Sequence, residues 1–389
     1  MNKIGTFSII AAFLLTSCKG QAQPGEDLQF KKHILSSEFI SEGVAAGDVN
    51  KDGKIDVIAG AYWFEAPSWT AHEIAKPQTF SVDKGYSNSM LNFSMDVNQD
   101  GWIDQIRIDF PGEAAYWHEN PGNAEGEHWK VHTIFETVGN ESPRFVDVDG
   151  DGRKDLLCAD SKTKEMIWLR APSKKGEVTW KRYAISETNA PGTNIFSHGL
   201  GFDDVNGDGK KDVLIKEGWW ESPADPRQPG WKFHEASFGE ACSQMFTRDF
   251  DGDGDLDVIS ASAHKFGVWW HEQDSDESGG ATWETHEISM ALSQTHATSL
   301  VDLNEDGHPD LVTGMRYFAH LGKDPGEQSD PLLVWFEFNP GAAPSWTLHE
   351  IDNDSGVGLN IVTEDITGDN LRDILVANKK GVFVFEQLK

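Results

Sequence analysis

The chain has 389 residues, of which 38% are hydrophobic and 11% aromatic, and its formal charge is −31 at pH 7. A chain this acidic cannot neutralise phosphates, so its composition excludes nucleic-acid binding and a basic membrane-binding face. Cysteine is scarce: Cys158 and Cys242 fall in different repeats, and the remaining one lies near the start. We therefore expect no stabilising disulfide.

The first residues have the pattern of a targeting segment. An apolar run over residues 4–15 is too short to span a bilayer, and a Leu-Thr-Ser-Cys sequence follows that ends at Cys18. This resembles the bacterial lipobox, in which cleavage leaves the cysteine at the new N-terminus, carrying acyl chains. We predict a lipoprotein signal peptide at residues 1–17, lipidation of Cys18 and a flexible tether at residues 18–27. The protein would then be a membrane-anchored lipoprotein of the bacterial cell envelope, either periplasmic or at the cell surface. The alternative is an ordinary signal peptide with an accidental cysteine.

Internal repetition dominates the rest of the chain. A nine-residue loop with Asp or Asn at positions 1, 3, 5 and 9 recurs seven times, at intervals of 45 to 63 residues. This interval is typical of one four-stranded propeller blade. The candidate metal ligands in the successive loops are Asp48, Asn50, Asp52 and Asp56; Asp96, Asn98, Asp100 and Asp104; Asp147, Asp149, Asp151 and Asp155; Asp204, Asn206, Asp208 and Asp212; Asp249, Asp251, Asp253 and Asp257; Asp302, Asn304, Asp306 and Asp310; and Asp365, Asp369 and Asp373.

The segments around the loops indicate strands. They are short, rich in β-branched and aromatic residues, and bounded by Gly, Pro and Asn. A fourth strand beginning with Trp follows each of the first six loops, whereas the last repeat stops after its third strand at residues 382–386. Residues 30–35 have the fourth-strand pattern but precede the first loop. We therefore predict an all-β, seven-bladed β-propeller of four-stranded blades over residues 28–389, with the N-terminal strand completing the last blade.

The repeat resembles the FG-GAP or VCBS family, the propeller repeat of integrin α-chains and of many bacterial secreted proteins. The resemblance covers nearly all of residues 28–389. It implies the architecture more strongly than the function, because such propellers serve as adhesins, scaffolds and enzymes.

The loops have the composition of calcium sites. Ca²⁺ takes about six to eight hard oxygen ligands, which carboxylates, amides and a backbone carbonyl of one such loop can supply. Without cations, the clustered aspartates would repel one another. We therefore expect up to seven Ca²⁺ ions, against the alternative of acidic turns that bind nothing. The seventh loop has Thr367 at position 3 and Asn370 in place of Gly, so we expect it to bind most weakly.

Four of the 14 histidines remain after those in outer strands, third strands, a turn and an acidic loop are set aside. His198 and His296 each lie six residues before the first Asp of their loop, at the start of an innermost strand. His264 lies in a connection between second and third strands, and Arg316 and His320 lie in the longest such connection. All of these positions lie at one mouth of the central channel. The residues expected there are His198, His264, His296, His320, Arg316, Glu42 and Glu141.

This cluster indicates a site for protons or for a metal. Histidine exchanges protons near pH 7 and is a common ligand for zinc-like ions. One further divalent metal in the funnel is therefore an option beside the loop calcium ions. The alternative is that these are ordinary polar residues that fill the channel.

Three stretches are similar to the propeller portion of the aldos-2-ulose dehydratase family and related bacterial proteins. They are residues 197–201, 218–223 and 295–297. The resemblance implies elimination of water from a keto-sugar, in which a base removes the proton beside a carbonyl while a metal or an acid polarises the oxygen.

Two functions follow as hypotheses. The first is a carbohydrate-processing lyase of the dehydratase type, which acts on a keto-sugar or oligosaccharide at the funnel mouth. The second is a non-enzymatic carbohydrate- or protein-binding module for adhesion or scaffolding. An enzyme should bring His and Arg within reach of one point, whereas a binding module should present aromatic platforms. Both predict a carbohydrate or small-molecule ligand, and the sequence indicates no particular protein partner.

Overall fold

A computed structural model describes residues 28–122, 128–276, 280–341 and 343–389. These ranges contain strands, turns and no helix, and so no helix that could cross a membrane. The predicted signal peptide (1–17), the tether (18–27) and Cys18 lie outside the described residues. Cys158 and Cys242 are buried free thiols.

Short strands follow one another along the described chain. They are β1 (Gln29–Ser36), β2 (Ala45–Gly47), β3 (Asp56–Ala59), β4 (Tyr62–Glu65), β5 (Thr70–Glu73), β6 (Leu91–Met95), β7 (Asp104–Ile108), β8 (Ala115–Glu119), β9 (Lys130–Phe135), β10 (Val138–Val146), β11 (Asp155–Asp160), β12 (Glu165–Arg170), β13 (Lys181–Ala184) and β14 (Leu200–Asp203). The others are β15 (Asp212–Ile215), β16 (Gly218–Glu221), β17 (Lys232–Glu235), β18 (Gln244–Arg248), β19 (Asp257–Ala261), β20 (Phe266–Ser275), β21 (Ala281–Ser293), β22 (Thr298–Val301), β23 (Asp310–Gly314), β24 (Leu333–Asn339), β25 (Ser345–Asp352), β26 (Val362–Glu364), β27 (Asp373–Asn378) and β28 (Gly381–Leu388).

These strands form a β-propeller, but the prediction of seven separate four-stranded blades is wrong. The described residues form five separate four-stranded sheets and one continuous eight-stranded sheet. The separate ones are the first sheet (β2–β5), the second sheet (β6–β9), the third sheet (β10–β13), the penultimate sheet (β22–β25) and the closing sheet (β26–β28 with β1). The eight-stranded sheet contains β14 to β21.

A parallel contact between two innermost strands creates the eight-stranded sheet. Leu200 pairs with Gln244 and Gly201 pairs with Met245, which joins β14 to β18. A Cβ atom on Gly201 would lie 2.7 Å from the carbonyl oxygen of Met245, closer than a side chain tolerates. Because Gly201 has no side chain, the backbones of β14 and β18 can approach closely. Two blades that the repeat pattern predicts as separate thereby form one sheet.

The predicted closure by the N-terminal strand is confirmed. β1 pairs antiparallel with β28, with a register that runs from Gln29 opposite Leu388 to Ser36 opposite Val382. The strand order β1-β28-β27-β26 makes β1 the outermost strand of the closing sheet. The ring is thus closed by pairing between the two ends of the described chain, and β28 has no free edge.

The outer two strands of most sheets share one packing unit. An outer-strand histidine stacks on a third-strand tryptophan with ring centroids 4.1 to 4.5 Å apart, and its Nε2 lies 2.6 to 3.1 Å from a glutamate carboxylate on the same third strand. The histidines are His72, His132, His234, His286 and His349. Their repetition and their satisfied ring nitrogens give them a structural role.

The last aspartate of every acidic loop links its loop to the third strand of its sheet through hydrogen bonds. One carboxylate oxygen accepts a backbone N–H from the loop's second residue, and the other accepts one from a residue near the end of the third strand or directly after it. All these distances are 2.8 to 3.1 Å. These seven aspartates are Asp56, Asp104, Asp155, Asp212, Asp257, Asp310 and Asp373, and all are buried. Each one therefore satisfies two buried backbone donors, whatever else it binds.

Candidate functional site

Four histidines from different elements meet at one mouth of the central channel. The ring centroids of His198 and His264 are 4.6 Å apart, and those of His264 and His320 are 4.3 Å apart. His296 lies 5.3 to 5.7 Å from the other three. His198 and His296 precede β14 and β22, whereas His264 and His320 come from the β19–β20 and β23–β24 connections. The four histidines that the sequence analysis placed at one mouth, from their positions relative to the acidic loops, therefore lie together in the fold.

Backbone contacts fix the ring orientation of two of these histidines. The Nδ1 atom of His198 lies 3.0 Å from the carbonyl oxygen of Phe196, and that of His296 lies 3.2 Å from the carbonyl oxygen of Gln294. A carbonyl oxygen only accepts, so each Nδ1 carries the proton and the neutral ring presents a lone pair at Nε2. Within the described residues, neither Nε2 has a hydrogen-bond partner, although His198 and His296 are only 6% and 1% exposed. Both lone pairs are thus available to a ligand.

Carboxylates that the sequence did not indicate hold the other two histidines. One oxygen of Asp324 lies 2.6 Å from Nδ1 of His264 and 2.9 Å from Nδ1 of His320. Glu327, which is buried, accepts a hydrogen bond from the backbone N–H of His320. A carboxylate against one imidazole nitrogen is the arrangement that orients metal-binding histidines. Asp324 and Glu327 follow His320 by four and seven residues. This closeness along the chain is the only feature of the sequence that could have indicated their contact with the site.

A buried ion pair lies beside the histidines. Arg316, 1% exposed, donates from Nη2 to Oε1 of Glu42, which is fully buried. The Nε and Nη1 atoms of Arg316 have no partner in the described part of the chain. Its backbone N–H donates to the carbonyl oxygen of Gln294 at 2.9 Å, which ties the β23–β24 connection to the segment carrying His296. The predicted placement of Arg316 and Glu42 at this mouth is therefore found.

Burial and the nearby charges set the protonation of the site. Burial, with the positive charge of Arg316 next, holds the pKa of His296 well below its usual value. Burial also lowers the pKa of His320 to about 4, aided by His264 and Arg316. Burial alone would raise the pKa of Glu141, but the contact with His198, at 3.4 Å, holds it below its usual value. At neutral pH His296 and His320 are therefore neutral imidazoles, and Glu141 is an ionised carboxylate.

A pocket of about 400 Å³ opens beside the histidine cluster. His198 and His264 lie in its wall with Lys216, and its rim carries Ile195 and Phe196, which are 39% and 52% exposed. The site thus combines ionisable groups that face one point with an exposed aromatic ring at its edge.

The acidic loops have the turn geometry that the spacing predicts. In every loop the first aspartate accepts the backbone N–H of the sixth residue, at 2.7 to 3.2 Å. That sixth residue has a positive φ, 82° to 103° at the glycines and 71° at Asn370. The left-handed conformation explains the glycines, and the amide side chain tolerates it in the seventh loop.

In each of two loops, the third and the fifth, three carboxylates lie close together. One oxygen from each of Asp147, Asp149 and Asp155 lies within 4.8 Å of the others, and the same holds for Asp249, Asp251 and Asp257. In the third loop, however, Arg170 also pairs with Asp149 at 2.6 Å. The donor sets therefore fit a hard cation, with Arg170 as a competitor in the third loop.

The FG-GAP-like repeat family matches three stretches of the chain. Residues 96–158 and 147–215 overlap, residues 249–313 are separate, and together they are just under half of the chain. The chain carries FG-GAP-like repeats. The matches fall on the second to sixth acidic loops and on strands around them. A search of curated proteins found no match.

Solved structures similar to this FG-GAP-like propeller include two β-rich proteins of low identity. One is an Agrocybe aegerita lectin, described for specific recognition of non-reducing terminal N-acetylglucosamine; it is 16% identical, with 84% of this chain and 81% of that chain covered and a TM-score of 0.43. Another is the β-propeller domain of Cps50 (Swd1) from Myceliophteria thermophila; it is 7% identical, with 92% and 100% covered and a TM-score of 0.48. Neither likeness carries an argument about function.

Proposed function

We propose that the funnel of this FG-GAP-like propeller binds one divalent transition metal through His198, His264 and His296. The observation that supports this most directly is that one ligand atom from each histidine lies within 4.8 Å of the other two. The buried, unpartnered Nε2 atoms of His198 and His296 are a second, independent reason, because a buried polar atom without a partner destabilises the fold. Three neutral imidazoles suit zinc and related ions.

The charge around the histidines favours a cation. The carboxylates of Glu42, Glu141, Asp324 and Glu327 lie around the mouth, against the cationic side chains of Arg316 and Lys379. Lys216 in the pocket wall is paired with Glu217 at 2.8 Å, so that pair adds no net charge. Nε2 of His198 also lies 3.4 Å from a carboxylate oxygen of Glu141, which places an anionic group next to one of the proposed ligand atoms.

We further propose that this site is the centre of a carbon–oxygen lyase that removes water from a sugar bearing a carbonyl. When bound, the metal would polarise a substrate oxygen. Neutral His320, positioned by Asp324, would take the proton from the carbon beside the carbonyl, and the C–H electrons would form a C=C bond as the neighbouring C–O bond breaks. The same imidazolium would return its proton to the leaving hydroxyl, so that the products are an unsaturated sugar and water. The unpartnered N–H groups of Arg316 would donate to the negative oxygen that develops.

One observation favours a second candidate, a non-enzymatic carbohydrate-binding module. Phe196 is 52% exposed at the rim of the pocket that His198 and His264 line. An exposed ring beside a polar pocket is the kind of platform on which a sugar face packs. In this alternative the histidines would hold the metal for structure or for ligand contact, with no turnover.

We also propose that the acidic loops bind Ca²⁺ and that the protein is held at the cell envelope by a lipid on Cys18. The three-carboxylate groups of the third and fifth loops support the first proposal, since their oxygens are spaced for one hard cation. The lipobox-like sequence before Cys18 supports the second.

A histidine replacement tests the funnel. The wild-type protein, loaded with Zn²⁺ and freed of excess, should hold one transition-metal ion, and His296→Ala should lose it because one of three ligands is gone. Turnover of keto-sugars, followed by the ultraviolet absorbance of the unsaturated product, should fall by about 10²–10⁴ in this variant. His132→Ala is the matched control, because His132 stacks on Trp117 in an outer strand. It should keep metal and turnover.

The outcomes separate the candidates. Wild-type protein that retains no transition metal contradicts the metal site. If the protein binds metal and binds a sugar saturably but turns over none of the keto-sugars tested, the lyase is contradicted. That result supports the carbohydrate-binding module. Unchanged metal content in His296→Ala contradicts the assignment of that ligand.

A further inference from the structure

A second cavity lies away from the histidine cluster, between the first and second sheets. It has a volume of about 270 Å³, and one of its walls carries Arg107, Asp109, Tyr116 and His118. Three of these four residues belong to the second sheet, Arg107 to β7 and Tyr116 and His118 to β8, where Arg107 lies opposite Tyr116 in the pairing register. The apolar part of the wall includes Ile40 and Ala61.

His118 is the unusual residue of this cavity. It is 2% exposed, and neither of its ring nitrogens has a hydrogen-bond partner among the residues that the structure describes. The equivalent third-strand position, directly after the tryptophan that stacks on the outer strand, is Phe64 in the first sheet and Leu169 in the third, and both are buried in the core. A polar side chain without partners at a core position destabilises the fold by itself. Such departures from a repeat's own rule are expected where a site has a function.

His271 shows what a merely structural histidine looks like at the same position. It is 1% exposed, yet its Nε2 lies 2.9 Å from the hydroxyl of Ser260 and its Nδ1 lies 3.0 Å from that of Thr285. The second sheet supplies no such hydroxyls for His118. His118 lines the cavity, so a molecule bound there would supply the partners that the second sheet lacks.

The chemistry of the wall indicates the kind of molecule. Burial, together with the positive charge of Arg107, lowers the pKa of His118 to about 3, so the ring is neutral and offers one donor and one acceptor. The Nε of Arg107 is paired with Asp109 at 3.0 Å, which leaves its terminal N–H groups for a ligand and nearly cancels the charge of the pair. Lys76 adds one positive charge to the lining. Asn88 and Gln78 add amide groups at the rim, with Nδ2 of Asn88 2.8 Å from Oε1 of Gln78. The lining therefore offers both hydrogen-bond donors and acceptors. Hydroxyl groups, which donate and accept at once, can pair with both.

We propose that this cavity is a second binding site, for a neutral polyhydroxy compound about the size of one sugar ring. The volume is just under the range of about 300–1,000 Å³ typical of ligand pockets, which restricts the occupant to a single ring. Tyr116 and the apolar wall would contact the ring's carbon face, while His118 and Arg107 bind its hydroxyls. The site does not use the funnel histidines and does not depend on the proposed lyase reaction.

Calorimetric titration with methyl α-D-glucopyranoside, methyl α-D-mannopyranoside and methyl β-D-galactopyranoside tests this site. At least one glycoside should bind the wild-type protein, and it should bind His296→Ala as well, because the funnel is separate. His118→Leu, which installs the residue that the third sheet carries at this position, should weaken that binding by about tenfold or more. The same replacement should raise the melting temperature, since it removes an unsatisfied buried polar group.

His271→Leu is the matched control. It should lower the melting temperature, because it leaves the hydroxyls of Ser260 and Thr285 unpaired, and it should leave glycoside affinity unchanged. If His118→Leu fails to fold, Asn88→Ala at the rim should still weaken binding. The proposal is overturned if no glycoside binds the wild-type protein, or if His118→Leu binds as tightly as the wild type.

Discussion

The last aspartate of each acidic loop should stabilise the fold even without calcium, and Asp310 is the clearest case. It is fully buried; Oδ2 accepts the N–H of Leu303 at 3.0 Å, and Oδ1 accepts the N–H of Phe338 at 3.0 Å. The replacement Asp310→Ala removes both acceptors and leaves two buried donors unpaired. Burial raises the pKa of Asp310 to about 7, so at about pH 8.5 the carboxylate is ionised and each hydrogen bond to it is worth about 1.5–3 kcal/mol. At that pH the free energy of unfolding should fall by about 3–6 kcal/mol.

Asp306, in the same loop, provides the contrast. Its side chain is exposed and accepts only from the nearby backbone N–H of His308 and from the amide of Asn304. In excess chelator, Asp306→Ala should change the free energy of unfolding by no more than about 0.5 kcal/mol. With calcium present it should cost more, because a ligand of the proposed ion is lost. Asp310→Ala should be destabilised in both conditions.

Urea unfolding of the three proteins, each with calcium and with chelator, measures these differences from the transition midpoints. The reasoning is refuted if Asp310→Ala unfolds within about 1 kcal/mol of the wild type in chelator, since that would mean that the two backbone donors are not held by the carboxylate. It is also refuted if Asp306→Ala is as destabilised as Asp310→Ala without calcium.

Two further predictions concern calcium and the lipid anchor. Burial raises the pKa of Asp104 and Asp155 to about 7, so without cations the folded state holds protons that the unfolded state has lost, and stability falls as pH rises from about 4 to about 7. Calcium binds the ionised form, so the gap between melts with calcium and with chelator should widen over this pH window, and a constant gap would contradict calcium binding at these groups. Cys18→Ser should leave the precursor uncleaved or release the protein from membranes. A processed variant that still fractionates with membranes would show that Cys18 is not the anchor.

The sequence predicted those parts of the fold that repeat. The loop spacing located the strands, and the surplus outer strand at residues 30–35 led to the pairing of β1 with β28. The merged sheet could not be predicted, because it depends on one close backbone approach at Gly201 that no periodicity records. The roles within the acidic loops were also hidden, since an aspartate that binds a cation and one that accepts two backbone N–H groups look identical in a pattern.

The candidate site was predictable only where it followed the repeat. A shared offset before the loops placed His198 and His296 together, and strand order brought His264 and His320 to the same mouth. Asp324 and Glu327 were missed because they lie in the connection between β23 and β24, where the chain has no period and only tertiary contact defines a role. His118 lies in a third strand, and its lack of partners is a property of the packing between sheets, which no sequence pattern records.

The pairing of β1 with β28 has a consequence for how the protein acquires its structure. The two strands come from opposite ends of the described chain, so Gln29 meets Leu388 only after nearly every residue between them has been made. Contacts of such large sequence separation are slow to form. Until then the outer edge of β28's sheet is incomplete and the amphipathic β1 segment is unpaired, a state prone to pairing with other chains. Pairing of β1 with β28 therefore removes a hazard of aggregation, and a chaperone that shields the β1 segment would have to act until β28 has been made.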